Sequence, residues 1–520
     1  MQFDLAQLEW KLSGWTPNVW RCRQSIEIGA SPLVEVGPIS ARIPGSVQSA
    51  LLQAGVIRDW NHGFNSRDCE WIENRHWVYE ARIPDKWLKS GRSFSLECLG
   101  LDYSGWVMVN GVEVSEFNNA FVPHTIDITP HLNESDNILQ IVLDCPPRWL
   151  GYCGATSKMT QWKPRFNYTW DWTVRMVQLG IWDSILLHSS NGSEITKLRC
   201  TTGANVGNRT GSLRVQGSVV GTDGSAIRLF LASDGKEVWS ENLDISRLEN
   251  GIEADDLPVE LWWPNMLGGQ PLYTLRCELL NGRGDKIDEV SRCVSFKNIT
   301  WEHCDGASKD ADPWICVVNG QSVFIQGVNW TPIRPNFADV TEEDYRKRLE
   351  AYRDIGCNML RVWSGAVLEK ECFYNICDEL GLMVWQEFPL CSSWIEDWPP
   401  EDNASIDDMA KIAASYIARR QHHVSLALWC GGNELQGSLD GAKTGTGKPI
   451  DCSHPMIKRL SEIVAQTDHG HRFIPASASG PREAERRPRS PPAAAPGRAQ
   501  RRRRCRAINS AQPRAGCACR

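Results

Sequence analysis

"GCNMLRVWSGAVLEKECFYNICDELGLMVWQEF", residues 356–388, switches between two structural periods. "NMLRVW" (358–363) and "LMVWQEF" (382–388) are short, near-continuous apolar runs of the kind that form buried strands. Between them "KECFYNICDELG" (370–381) has helical length and spacing. Strand, helix, strand in this order predicts a parallel pair with a crossover helix.

The same grammar extends both ways. Upstream, "SVFIQGVNW" (322–330) reads as a strand and "TEEDYRKRLEAYRDIG" (341–356) as a helix. That helix starts on a capping box, Thr341 with Asp344, aligns Tyr345, Leu349 and Tyr352 on one face, and stops at Gly356. Downstream come helix "SIDDMAKIAASYIARR" (405–420), with Ser405 and Asp408 in capping-box spacing, and strand "SLALWCG" (425–431). Helix "PMIKRLSEIVAQ" (455–466) and strand "RFIPASAS" (472–479) follow. Five strands and four intervening helices predict an incomplete (β/α)8 TIM barrel over 298–480, since closure needs three more units.

The text before residue 298 is all strand. Residues 1–190 alternate polar and apolar positions in runs such as "SFSLECLG" (93–100), "SGWVMVNGVEV" (104–114) and "NILQIVLD" (137–144). Asn110-Gly111 inside the second run is a hairpin signal, and an antiparallel sandwich or jelly roll is expected. Residues 191–297 continue with "RLFLAS" (228–233), "EVWSENL" (237–243) and "PLYTLRCELL" (271–280), at a size that suits an immunoglobulin-like β-sandwich. The fold class is therefore multidomain: two all-β units and a partial barrel.

Residues 481–520 are different text, with 12 Arg, two Glu and no aromatic residue. Their charge of +10 leaves −17 on residues 1–480, the whole chain being −7. Such a segment builds no core and reads as disordered. A nucleic-acid arm and a natural tail are alternatives, but the abrupt switch inside a barrel favours a reading-frame shift. The acidic body carries no nucleic-acid-binding fold, and no nucleic-acid partner is expected. No apolar run is long enough to span a membrane, and the first residues lack a secretory signal, so a cytoplasmic chain is expected. The 19 cysteines fall in no zinc spacing and read as buried thiols. His422 and His423 have no ligand partner at metal spacing. "GAKTGTGKP" (441–449) misses the phosphate-loop pattern by one residue and by Pro449. No metal and no cofactor is expected.

Twenty-four tryptophans suit a protein that packs indoles on sugar rings, although each one taken singly is more often core. Asn433 and Glu434 follow the fourth barrel strand, where barrel enzymes place working residues. Cleavage of a glycosidic bond needs one carboxylic acid to protonate the leaving oxygen and a second carboxylate at the anomeric centre. A Glu434 carboxyl beside Trp429 would suit the acid role.

From Pro44 to about Pro481 the chain resembles glycoside hydrolase family 2, most closely its β-mannosidase branch. The likeness is carried by "IPGSVQSALLQAGVIRDW" (43–60), "ENRHWVYEARI" (73–83), "YTWDWTVRMVQLGIWDSILL" (168–187), "LWWPNMLGGQPLYTL" (261–275), the run 356–388 and "HHVSLALWCGGNEL" (422–435). It implies a retaining exo-glycosidase that takes terminal β-D-mannose from oligosaccharides. Glu434 would be the general acid/base, Asn433 would hold the sugar's 2-hydroxyl, Trp363 would wall the subsite and Asp171 would reach its hydroxyls. Trp170 and Trp172 would pack around Asp171, and Asn329 and Trp330 would form the pocket floor. "SGAVLEKE" (364–371) departs from the branch's usual turn, and Glu387 stands where many relatives have Asp. In the family the nucleophilic Glu follows the seventh strand, whereas the resemblance here ends after the fifth. The nucleophile is thus absent, and the chain as written is expected to be inactive. Another exo-glycosidase of the family, for glucosamine, galactose or glucuronic acid, and a non-catalytic sugar-binding remnant are the alternatives.

Overall fold

The computed structural model describes residues 1–22, 33–148, 150, 161–170, 172–308, 311–391, 398–437 and 448–478. Asp171, most of 441–449 and the basic segment 481–520 lie outside the described residues. Residues 1–481 form one compact unit.

The first 190 residues fold into two facing antiparallel sheets. One runs in the order Gln2–Asp4, Ile185–Ser190, Ser93–Cys98, His124–Asp127. The other runs Val36–Ala41, Trp10–Trp15, His76–Arg82, Ile138–Leu143, Gly105–Val109, Val112–Phe117. The alternation in the sequence sends every second side chain inward, and Trp10, Leu12, Trp77, Tyr79, Leu96, Ile141 and Leu187 fill the space between the sheets. Asn110 and Gly111 both adopt positive φ, joining Val109 to Val112 as the hairpin signal requires. A second sandwich pairs Glu194–Asn205, Thr210–Val220 and Ile252–Leu257 against the sheet Lys236–Asp244, Gly224–Ser233, Tyr273–Asn281, Lys286–Val294. Leu213, Leu229, Leu231, Leu275 and Phe296 form its core.

A small antiparallel sheet of Ile299–Glu302, Ile315–Val318 and Gln321–Val323 precedes the parallel one. The expected strand over 322–330 is therefore two strands. Gln321–Val323 pairs backwards, and only Gly327–Trp330 enters the parallel sheet. That sheet holds β1 (Gly327–Trp330), β2 (Met359–Val362), β3 (Met383–Glu387), β4 (Leu426–Cys430) and β5 (Arg472–Ile474) side by side. Helices α1 (Glu342–Asp354), α2 (Glu371–Leu380), α3 (Asn403–Arg420) and α4 (Pro455–Thr467) alternate with the strands. Thr341 and Asp344 make the capping box reciprocally. The start of α3 differs from expectation. Asp402, which accepts from the Ser405 amide, caps it, so the helix begins before the box at Ser405 and Asp408. Among the described residues no helix is long and apolar enough to cross a membrane, and the cysteines are free thiols, most of them buried.

Register decides what each face of the parallel sheet carries. Asn329 lies opposite Arg361, Arg361 opposite Trp385, and Glu387 opposite Cys430. These share one face, while Leu360, Val362, Val384 and Trp429 pack on the helices.

Buried polar groups fix the first sandwich to the parallel-sheet region. Lys163, with no exposed side-chain surface, donates to Asp102 and to the Gln178 carbonyl. Gln178 in turn donates to Asp102 (3.3 Å) and accepts from the Ala338 amide (2.7 Å). Asp339 accepts from the Ser46 amide (3.1 Å) and hydroxyl. Burial pushes the Asp102 carboxyl up and the Lys163 ammonium down, and their mutual attraction opposes both shifts. Removing one partner leaves the other desolvated and unpaired. Lys163→Met is expected to cost about 3–5 kcal/mol in urea unfolding, and pairing it with Asp102→Asn is expected to recover part of that loss.

Candidate active site

One arginine organises the upper face of the parallel sheet. Arg361 leaves β2 toward that face, with 18% of its side chain exposed. Its Nε donates to Glu387 Oε1 (2.8 Å), its Nη1 to Asn329 Oδ1 (3.0 Å) and its Nη2 to Asn433 Oδ1 (2.6 Å). A guanidinium has donors only, so it fixes the Asn433 amide with Oδ1 toward Arg361. The ends of β1 and β3 and the corner after β4 are thereby tied to β2.

Asn433 is buried, its amide N–H shared between Leu390 O (2.9 Å) and Ser364 Oγ (3.0 Å). Glu434 follows at φ 49°, the one glutamate at positive φ among the described residues, and its amide donates to Ser477 Oγ (2.8 Å). An L side chain in that region costs on the order of 1–2 kcal/mol, sustained here by the fixed residues on both sides. The turn presents the Glu434 side chain to solvent at the C-terminal end of the sheet. Trp429 is not its neighbour. That indole lies in the core against the helices, stacked on Phe388 (5.5 Å) and donating to Asp468 (2.8 Å).

The acids at the described strand ends are Glu387 and Glu434. Glu387 is fully buried, one oxygen on Arg361 and the other on the Ser364 amide (2.9 Å). Burial raises its pKa and Arg361 pulls it back down. Both oxygens are committed, so its work is to hold Arg361.

Trp363, 7% exposed, stands after β2 and meets the sandwich segment 165–172. Trp170 and Trp172 approach it edge-on at 4.9 and 5.8 Å, and Trp172 stacks on Phe166 at 5.8 Å while staying 44% exposed. The amides of Arg165 and Phe166 donate to Gly365 O (3.3 and 3.2 Å), and Arg165 Nη1 reaches Cys391 O (3.5 Å). A Cβ at Gly365 would collide with the Trp363 ring, so the close approach requires glycine there. The structure thus brings together Asn329, Trp363, Asn433 and Glu434 around Arg361 and the Trp170–Trp172 segment, with Asp171 outside the described residues.

Trp330 is not part of this cluster. It points to the helix side, donates to Glu369 Oε1 (2.7 Å) and stacks on Tyr345 at 6.1 Å, so it cannot floor a pocket on the opposite face. Glu369 of the unusual "SGAVLEKE" turn is buried beneath it and also accepts from the Tyr345 hydroxyl (2.6 Å). Arg361, Ser364 and Ser477 went unnoticed in the sequence. The available signal was Arg361, a charge in the middle of an apolar strand.

Residues 20–183 match the glycosyl hydrolase 2 galactose-binding domain-like family. The chain is similar to β-mannosidase B of Aspergillus terreus, 27% identical over 409 residues, covering 76% of this chain and 48% of the relative. It is also similar to β-mannosidase B of Emericella nidulans, 28% identical over 415 residues, covering 75% and 48%. Among solved structures, the β-D-mannosidase of Dictyoglomus thermophilum superposes with a TM-score of 0.75 at 24% identity, over 92% of this chain and 57% of that one. The exo-chitosanase of Amycolatopsis orientalis shares the fold at a TM-score of 0.66 and 17% identity, over 92% and 53%. The chain spans about half the length of the curated relatives it matches. The resemblance to glycoside hydrolase family 2 and its β-mannosidase branch is borne out.

Glu387 gives the Arg361 cluster a pH signature. Its folded pKa is raised, so its contribution to stability is present below the unfolded carboxylate value of about 4.3 and fades as pH rises. Removing Arg361 deepens that effect by leaving the carboxylate buried without its cation. Arg361→Met is expected to lose about 1–3 kcal/mol near pH 4, where the bonds to Asn329 and Asn433 go, and to fall further behind wild type by pH 7, where Glu387 is left charged without its cation, read in urea unfolding at both pH values.

Proposed function

We propose that this chain carries the acid/base half of a retaining, exo-acting β-mannosidase site of glycoside hydrolase family 2. In this reading residues 1–190 are its jelly roll, 191–297 its immunoglobulin-like sandwich, and the parallel sheet with its helices part of a (β/α)8 barrel. The observation that carries it is the Asn433–Glu434 corner at the C-terminal end of β4, locked by Arg361 and by the hydroxyl of Ser364, the residue after Trp363. The names of the curated relatives supply the sugar.

Glu434 donates a proton to the leaving oxygen and later takes one from water. Asn433, with Oδ1 held by Arg361 and Nδ2 donating to Cys391 Sγ (3.7 Å), offers its second Nδ2 hydrogen to the sugar's 2-hydroxyl, where bonding strengthens as positive charge develops at the anomeric carbon. Trp363 with the half-exposed Trp172 forms an indole wall for the terminal sugar, and Asp171 and Asn329 complete its polar contacts. Oligosaccharide is the partner.

Retention also needs a second carboxylate about 5–5.5 Å from the first. Glu387, with both oxygens bonded and no exposure, does not attack a sugar. Among the described residues of the parallel sheet, Glu387 and Glu434 are the acids at the strand ends, so these 520 residues by themselves are expected to stop short of the covalent step. Incubated with an aryl β-mannoside, it is expected to show no turnover, and family-like turnover would refute that expectation. A chimera of residues 1–478 with the C-terminal half of a β-mannosidase B relative is expected to hydrolyse aryl β-mannosides in preference to galactosides, glucuronides and glucosaminides. Glu434→Gln in that chimera should lower kcat by about 10²–10⁴. An undiminished rate would remove Glu434 from the mechanism, and preference for another glycoside would remove mannose.

A further inference from the structure

The opposite end of the parallel sheet holds a cluster that the glycosidase reading does not use. His422 and His423 form the turn between α3 and β4, with ring centroids 4.2 Å apart and side chains 5% and 0% exposed. His423 Nδ1 faces Asp378 Oδ2 at 2.7 Å, and Asp378 Oδ1 accepts from the Ser425 amide (2.8 Å). A carboxylate only accepts, so Nδ1 carries a proton, and a metal at Nε2 takes the lone pair of the neutral ring, displacing any second proton. Both Nε2 atoms are buried without a hydrogen-bond partner, as is Gln421 Oε1 in the same turn.

The fold supplies the ligand that the sequence spacing did not reveal. Glu371, first residue of α2, places Oε1 3.7 Å from His422 Nε2 and 3.4 Å from His423 Nε2. Nitrogen and oxygen ligands about 2.0–2.1 Å from a tetrahedral zinc ion stand roughly 3.3–3.4 Å from one another. The three atoms lie within 4.8 Å of one another, so a small inward shift gives that geometry. Arg420 Nη1 holds the other Glu371 oxygen, orienting the carboxylate while leaving Oε1 available. Lys297, the nearby buried cation, turns its ammonium to the Val424 and Leu426 carbonyls. The histidines border a cavity of about 130 Å³, and Glu371 is half exposed, which gives an ion a way in.

We propose that Glu371, His422 and His423 form a structural binding site for a divalent transition metal of zinc type. Asp378 acts behind it by fixing the His423 ring, the carboxylate–histidine–metal arrangement common in zinc proteins. The metal fastens the start of α2 to the turn before β4, and water takes the fourth position.

The full chain, stripped with chelator and titrated with ZnCl2 against a chromogenic competitor, is expected to bind one zinc ion per chain and to melt several degrees higher when saturated. His422→Ala, which removes a side chain without hydrogen bonds at Nε2, is expected to lose about 100-fold or more in zinc affinity with an unchanged circular dichroism spectrum, and Glu371→Gln to lose affinity as well. Cobalt binding to the wild-type chain decides the ligand set independently of any variant. Tetrahedral d–d bands without thiolate charge transfer support the site. Thiolate charge transfer, which would place the ion on cysteines such as Cys22, Cys304 and Cys452, the exposed ones among the described residues, overturns it. So does absence of saturable binding, or affinity unchanged by His422→Ala.

Discussion

The Arg361 guanidinium is the constraint on which the site depends. A mostly buried cation must satisfy its donors, and here the acceptors come from the ends of β1 and β3 and the corner after β4. Each bond alone contributes little net stability, but together they determine where three backbone segments lie relative to one another. Glu387 gives up both oxygens to this arrangement and is withdrawn from chemistry by it. Asn433 loses its rotational freedom, and Glu434 is held in a left-handed turn that the chain would not adopt unsupported. A crossbar of this kind suits a site that must keep one carboxyl oriented.

The second requirement is a wall for the sugar, and it comes from a different part of the chain. Gln178 and Ser46 of the first sandwich meet Ala338 and Asp339, and the buried Lys163–Asp102 pair of the same sandwich holds Gln178 in place. Arg165 reaches Cys391 beside the site. These polar contacts are specific in geometry, as apolar packing alone is not, and they seat Trp170 and Trp172 on the edge of Trp363. The interface between two all-β and α/β regions is therefore part of the site.

Local grammar was readable from the sequence because it depends on near neighbours. The capping box at Thr341, the Asn110-Gly111 hairpin and the strand–helix alternation from 327 to 474 all appear as written. Long-range consequences were not readable. Residues 322–330 look like one strand until the backward pairing of Gln321–Val323 divides them. Trp330 ends a strand as a pocket residue would, yet the register turns it to the helices, where Glu369 receives its N–H. Arg361 and Glu387, 26 residues apart, and Glu371 with His422 and His423, about 50 apart, become partners only through parallel register and helix packing. Glu434 was found through a family likeness, and its left-handed backbone leaves no trace in residue types.

The most direct test is a crystal structure of the chain with a non-hydrolysable thio-linked β-mannoside. The account predicts one sugar against Trp363 and Trp172, Asn433 on its 2-hydroxyl, and a Glu434 oxygen about 2.6–3.2 Å from the bridging atom. A sugar bound elsewhere, or one seated here with Glu434 turned into solvent and Asn433 making no contact, would contradict it.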